Sequence, residues 1–403
     1  MEEENKNIIR KGENAMLHNE KLSLIMAEKD PIVQATMLHA AALECSPKVS
    51  VFTRLIENNK IGVISLIATT IDYFQKHGFI QTLRQILVKI NILNNSTPIK
   101  NNSIPNNLWD NSAENYVREG FKLYWETLGK VRDYQISLFT GDSDKDHFAY
   151  SLEFLMKRTN RTGLRGLILG CQESDNPPEM IFYQSGLFER LEVVDIAQGL
   201  IAKQKKKANI KGMDGIEYTV VDLNQATFQP DTYDLVWAMG TIHHIQNLES
   251  LFARINNALK NDGLFFTRDY VGPSRLQFTD LQLRIANGLL TLLPECYKKD
   301  RYGNTIQRIM RPSLETVMKN DPSEAVRSAD IVGVMRKHLK IEKFARTGGT
   351  ILHPLLNNIA SNFEADEFGD SLLKMLINLE IYLVGQEIIP SDYISCTAGK
   401  ITS

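Results

Sequence analysis

The segment Glu217–Ile245, EYTVVDLNQATFQPDTYDLVWAMGTIHHI, holds two short apolar runs that each close on polar residues, and an amphipathic stretch and NDGLFFTRDYVG follow it. This is the spacing of consecutive parallel strands joined by a helical crossover. Parallel strands covered by helices on both faces read as near-continuous Val/Ile/Leu runs, because neither face meets water. The segment therefore predicts a nucleotide-type α/β sheet, in which ligands sit beyond the carboxyl ends of the strands.

The same pattern extends on both sides. Strands are predicted at Leu164–Leu169, Leu191–Ile196, Glu217–Leu223, Asp234–Met239 and Gly263–Asp269, with two more at Ile341–Arg346 and Tyr393–Lys400. Between the fourth and fifth, Leu248, Leu251, Phe252, Ile255 and Leu259 recur at helical spacing, and Asn261-Asp262-Gly263 reads as the close of that helix. Residues 274–334 read as a long, mostly helical insertion after strand five. Upstream, Tyr116, Phe121, Tyr124, Trp125 and Tyr134 lie on a helical lead-in, where packing onto the sheet edge is the simpler reading and a substrate lid the alternative.

Residues 1–92 read as a separate all-helical domain, with Asp30-Pro31 and Ser46-Pro47 as helix starts. Residues 93–115 are dense in Asn, Ser and Pro and read as a linker to the main domain at 116–403. A formal net charge of -2, from 46 Lys+Arg and 48 Asp+Glu, gives no reason to expect a nucleic-acid partner. The apolar tract Ile61–Ile71 is far short of the roughly 20 residues that span a bilayer, so no membrane segment is expected. Cys45, Cys171, Cys296 and Cys396 are dispersed, which fits a reducing cytoplasm and no disulfide framework. His18, His39, His77 and His147 are scattered without an HxxxH or carboxylate pattern, so no metal site is expected.

The strand ends assemble a ligand site on paper. Gly170, Cys171 and Gln172 follow strand one, where a small residue lets backbone approach a ligand. Asp195 and Ile196 end strand two, with the carboxylate placed to accept from two ribose hydroxyls. Asp222 could accept from an adenine amino group while Leu223 flanks the ring. Ala238, Met239 and Gly240 close strand four, followed by His243 and His244.

This order resembles class I S-adenosylmethionine-dependent methyltransferases over about Tyr116–Lys400, roughly the last seven tenths of the chain. The elements are the glycine turn after strand one, the acid ending strand two, VVDLN, YDLVWAMGTIHHI with its downstream helix, and NDGLFF. More narrowly, DYVGPSR, MRPS, DPSEAVRS, GGTILHPLL and PSDY resemble a bacterial subgroup of small-molecule methyltransferases. The resemblance implies a Rossmann-like seven-stranded sheet, S-adenosyl-L-methionine as cofactor, a small-molecule acceptor and, by analogy, a homodimer through the N-terminal helices. The first loop departs from the family: Ile168 stands where an acid is usual, and Gln172 and Ser174 replace glycines. Glycine admits positive φ that glutamine adopts only at a cost. Weaker cofactor binding, an altered pose and lost turnover are all open.

A sulfonium methyl needs an aligned acceptor and, for a hydroxyl, a proton acceptor. His243, His244 and Asp269 are the catalytic candidates, and each has a packing alternative. Tyr270, Arg275 and His353 are candidates for binding the acceptor, with Arg275 paired to a carboxylate such as Asp280 as the alternative. The run Lys203–Lys207 reads as a solvated helix face, and Cys171 as a small buried residue. A methyltransferase is the leading reading, and a protein of that fold without turnover the runner-up. A nicotinamide oxidoreductase is disfavoured because GCQESD lacks the GxGxxG turn.

Overall fold

The computed structural model describes residues 117–402 apart from Glu119 and Ser143. The N-terminal helical domain and the Asn-rich linker expected from sequence lie outside the described residues. Among those described, no helix is long and apolar enough to cross a membrane.

Seven strands form one sheet: β1 Leu164–Leu169, β2 Phe188–Asp195, β3 Ile216–Val220, β4 Tyr233–Met239, β5 Leu259–Tyr270, β6 Leu339–Arg346 and β7 Tyr393–Lys400. Their order is β3-β2-β1-β4-β5-β7-β6. β1 to β5 pair in parallel, while β7 runs antiparallel to both β5 and β6. The order reverses between β1 and β4, which is the switch point where an open sheet of this kind takes its ligand. This is the seven-stranded, Rossmann-like sheet that the resemblance implies.

Alternate residues explain why the runs are so apolar. Leu167, Leu169, Val236, Ala238 and Phe265 enter one core with Leu248, Leu251, Phe252 and Ile255 of helix Leu248–Ala258. Ile168, Leu235, Trp237, Leu264 and Phe266 enter the other, with Phe139, Phe182 and Leu200. Trp237 and Phe266 stack across β4 and β5 with ring centroids 4.0 Å apart. Each such side chain contributes about 1.5–3 kcal/mol by leaving water. Both faces are therefore core, and only the strand ends can carry chemistry.

Two sequence expectations change here. The helix after β4 ends at Ala258, and Asn261-Asp262-Gly263 belongs to β5. A Cβ on Gly263 would lie 2.8 Å from the Tyr233 carbonyl, so the glycine serves a close strand approach rather than a helix cap. The lead-in is less helical than expected: Trp125–Thr127 is a 3-10 turn, and the first α-helix among the described residues, α1, is Gly129–Thr140. Trp125 is fully buried, 5.2 Å from Tyr393 and stacked 6.1 Å from His353. The packing reading of these aromatics fits that placement.

The described residues fall into two compact units, one containing 284–308 and 362–379, the other the sheet with the rest. In the smaller unit Asn362 donates to the carbonyls of Tyr297 and Lys299, and Tyr297 donates to Asp366. In the sheet unit the GGTILHPLL loop wraps a buried carboxylate. Glu380 accepts from the amides of Gly349, Ile351 and Leu352 and from the Tyr134 hydroxyl, at 2.7–3.0 Å. Gly348 and Gly349 both have positive φ, and a Cβ on Gly348 would lie 2.3 Å from Glu380. Glycine is required at this turn.

Asp392, in the PSDY segment, is fully buried and accepts from Gln282 at 2.6 Å, and its Oδ1 has no partner among the described residues. Burial pushes its carboxyl up to about 8. A carboxyl raised above its unfolded value holds a proton in the native state that the unfolded chain releases, so stability falls as pH climbs from about 4 to about 8. Asp392→Asn should flatten that decline when melting temperature is followed over this range. An unchanged slope would show that Asp392 does not carry the dependence.

Candidate active site at the carboxyl ends of the strands

The sequence places two histidines after β4, and the fold decides what surrounds them. Ile242–His244 form a 3-10 turn whose free amides face the end of β5. Asp269, 1% exposed, accepts from the amides of Thr241 (3.0 Å), Ile242 (2.7 Å), His243 (3.3 Å) and Tyr270 (2.9 Å). His243 Nδ1 lies 2.5 Å from the same carboxylate. Asp269 is thus a buried carboxylate stabilised by five donors, four backbone amides and the His243 ring.

Residues 322–328 of the insertion meet this turn. The Val326 amide donates to the His243 carbonyl at 3.0 Å, and the Ser328 hydroxyl donates to the Gly272 carbonyl at 2.8 Å. Arg275 donates to the carbonyls of Pro322 and Glu324, and its own amide reaches Ala325 at 2.7 Å. Asp280 instead pairs with Arg311 at 2.6 Å, so the sequence alternative for Arg275 is corrected. Arg327 pairs with Glu249 and Asp330. As a result DPSEAVRS lies against the two histidines: Glu324 Oε1 is 3.8 Å from His243 Nε2, and Ser323 Oγ is 3.1 Å from His244 Nδ1.

The electrostatics of the two rings diverge. Burial opposes charge on His243, but Asp269, then Glu324 and Asp321, overcome it and raise the ring to about 9. His244 is held well below the usual histidine range by burial and by its charged neighbour. Burial also pushes the Glu324 and Asp321 carboxyls up. Behind them His353, 4% exposed and ringed by Tyr124, Trp125, Tyr270, Phe278 and Tyr393, is pushed down to about 3 by burial and by His243. It is a neutral ring in an aromatic core. Tyr270, 3% exposed, donates to the Pro273 carbonyl at 3.0 Å.

The first loop is built differently from the sequence expectation. Among the described residues Gly170 has φ +90, whereas Gln172 and Ser174 are not at positive φ, so the strain anticipated for Gln172 does not arise. A Cβ on Gly170 would lie 2.2 Å from Thr241 Oγ1, which makes the glycine obligatory for closure onto the β4 turn. The rest of the loop is held from helix Gln198–Ile210. Buried Gln204 donates to the carbonyls of Gln172 (2.8 Å) and Ser174 (3.1 Å). Lys207 reaches Ser174 and Asp175 at 3.0 and 2.9 Å, and Lys203 pairs with Glu173. The lysine run is therefore split: Lys205 and Lys206 are exposed, and Lys203 and Lys207 bind the loop. Cys171 is buried, and burial pushes its thiol up.

The remaining candidates stand at the ends of β2, β3 and β4. Asp195 lies half-buried at the end of β2 and accepts from the amides of Cys171 (2.6 Å) and Ala197 (2.7 Å). Ile196 beside it is 43% exposed and Val220 at the end of β3 is 47% exposed, unusual for large apolar side chains. Asp222 Oδ1 accepts from the Asn224 amide and side chain at 2.8 and 2.9 Å, Leu223 and Ala238 are buried, and Met239 is half-buried. Sequence reasoning missed Gln204, Asp321 and Glu324. DPSEAVRS was the available signal for the last two, and nothing local marked Gln204.

Residues 169–267 match the family model described as a methyltransferase domain. The human N-terminal Xaa-Pro-Lys N-methyltransferase 1 is 24% identical over 105 residues, 26% of this chain and 47% of that protein, so the chain spans about half the length of this curated relative. Among solved structures, phosphoethanolamine N-methyltransferase 2 of Haemonchus contortus is 14% identical, with 74% of this chain and 61% of that chain covered and a TM-score of 0.41. The geranyl diphosphate C-methyltransferase of Streptomyces coelicolor A3(2) is 13% identical, with 79% and 97% covered and a TM-score of 0.37.

Removing the central carboxylate strands every donor it serves. Asp269→Ala should destabilise the protein by about 3–5 kcal/mol in denaturant unfolding, since it leaves buried amides without an acceptor. A loss below about 1 kcal/mol would mean that the turn is held by other contacts. Gln204→Leu should speed amide hydrogen exchange at residues 172–175 with little change elsewhere, and unaltered exchange there would refute the clamp.

Proposed function

The chain carries a class I S-adenosylmethionine-dependent methyltransferase domain, and on that premise we propose that it transfers the methyl group of S-adenosyl-L-methionine to an oxygen or nitrogen of a small-molecule acceptor. The supporting observation is that Asp195, with exposed Ile196 beside it, and the His243, His244 and Asp269 cluster stand at the carboxyl ends of strands on either side of β1.

In this reading Asp195 accepts from the ribose, Ile196 and Leu223 flank the adenine, Asp222 accepts from its amino group, and the Gly170–Gln172 backbone with Ala238 and Met239 lines the methionine half. The cofactor supplies an activated methyl on a sulfonium, so the protein need only align the acceptor. That alignment falls to the side chains after β4 and β5. Asp269 fixes the His243 ring by its 2.5 Å contact and, with its oxygens already serving backbone amides, acts through that ring and not as a separate base. The Arg275-held loop brings Glu324 toward the same ring. Tyr270 and His353 form the apolar wall behind, with their polar atoms turned to Pro273 and Tyr393.

The runner-up, a fold that binds cofactor or partner without turnover, rests on the altered first loop. Its premise is weakened by the Gln204 and Lys207 contacts, which hold that loop without the missing glycines. A protein acceptor is the competing acceptor class, because the human relative is named for a protein N-terminus. A cytoplasmic setting belongs to the same proposal on cysteine usage, and a homodimer through residues 1–92 on analogy alone.

Calorimetry with S-adenosylmethionine, S-adenosylhomocysteine and NAD tests the core of this. Both sulfur nucleosides should bind and NAD should not, and failure of both would sink the reading. Asp195→Asn, which keeps an acceptor for the Cys171 amide, should weaken binding about 10- to 100-fold by loss of charged hydrogen bonds to the ribose. Wild-type affinity in that variant would refute the ribose contact.

A further inference from the structure

Three carboxylates converge on the two imidazoles after β4. Asp269 holds His243 Nδ1, and the other ring nitrogen, Nε2, faces Glu324 Oε1 at 3.8 Å, beyond hydrogen-bond range. His244 Nδ1 lies 3.1 Å from Ser323 Oγ and 3.4 Å from Asp321 Oδ2. One ring nitrogen of each histidine and one oxygen of Glu324 all lie within 4.8 Å of one another. The Glu324 carboxylate is bonded by no donor among the described residues, and Arg275, from the segment after β5, spends its guanidinium on the backbone carbonyls of Pro322 and Glu324.

We propose that His243, His244 and Glu324 form a binding site for a divalent cation of the zinc class. Two imidazoles and one carboxylate are a donor set that holds zinc while leaving a coordination position open. Ligating histidines usually bond a carboxylate or carbonyl through the second ring nitrogen, which fixes the ring and raises its basicity. Asp269 stands in that position to His243. Ligand atoms about 2.0–2.1 Å from a common tetrahedral ion are about 3.3–3.4 Å apart, so the trio, within 4.8 Å of one another, closes by at most about 1.5 Å. That contraction is available to Glu324, which sits half-exposed on the loop.

Sequence spacing could not show this site, because Glu324 lies some 80 residues beyond the histidines. The inference deepens the proposed function, since the open position lies on the turn where the acceptor is expected. Cation binding is nevertheless measurable without methyl transfer.

The test is calorimetric titration of ZnCl2 into the chelator-treated full chain in the absence of any nucleoside. One saturating equivalent is expected, with Glu324→Gln and His244→Gln each weakening it at least about tenfold, and Asp269→Asn about 10- to 100-fold through the orienting bond. Melting curves confirm that each variant is folded, and Glu324→Gln, on a partly exposed loop, is the variant that keeps the test decisive. Absence of saturable zinc binding, or binding that Glu324→Gln leaves intact, would overturn the proposal. That result is also expected if the carboxylates serve a substrate ammonium instead. S-adenosylmethionine titrated into the same chelated protein reports separately: loss of nucleoside binding with zinc binding kept would sink the methyltransferase reading and leave the cation site standing.

Discussion

The fully buried carboxylate of Asp269 organises the turns at the carboxyl ends of β4 and β5. An ionised group out of water is tolerated only when its lone pairs are satisfied, and here four backbone amides and the His243 ring do so. The same bonds fasten the turn after β4 to the end of β5, two strands that also pair along their length. One interaction therefore fixes strand register at the ends, the fold of the 3-10 turn and the orientation of the imidazole. The adjacent Thr241 extends that anchoring, because its hydroxyl donates to the Leu169 carbonyl and fills the space that Gly170 leaves. The loops after β1, β4 and β5 are mechanically one unit.

Arg275 and Ser328 tie the loop of Glu324 to the segment after β5, and Glu380 ties the Gly348-Gly349 turn to α1 through Tyr134. His353 is locked as a neutral ring among five aromatic side chains. A low-dielectric wall behind a cluster of carboxylates and imidazoles strengthens every charge interaction at its front. Such a site favours a cation or an incipient positive charge.

The first loop shows how a departure from a family pattern can be absorbed. Glycines usually permit close backbone approach in this turn, and here only Gly170 adopts positive φ. Gln204 supplies two side-chain donors to the loop carbonyls, and Lys203 and Lys207 hold its acidic residues. The turn is shaped by side chains from the next helix but one. A lysine run that looks like a solvated face is partly a clamp, because helical periodicity says which residues share a face and not what that face meets.

Much of the fold was legible in the chain itself. Apolar runs of strand length with helices between them demand a covered parallel sheet, since each run would otherwise expose one greasy face, and the polar residues that close the runs mark where a ligand can sit. That reasoning placed Asp195, His243, His244 and Asp269 at strand ends or just beyond them. It misplaced Asn261-Asp262-Gly263, because a glycine demanded by a neighbouring strand looks in sequence like one demanded by a helix end. Only the tertiary structure decided that Asp269 serves five donors, that Arg275 faces backbone carbonyls and that Glu324 meets the histidines. The physical reason is range: periodicity and turn chemistry act over a few residues, whereas these contacts join residues tens of positions apart and exist only once the sheet has closed.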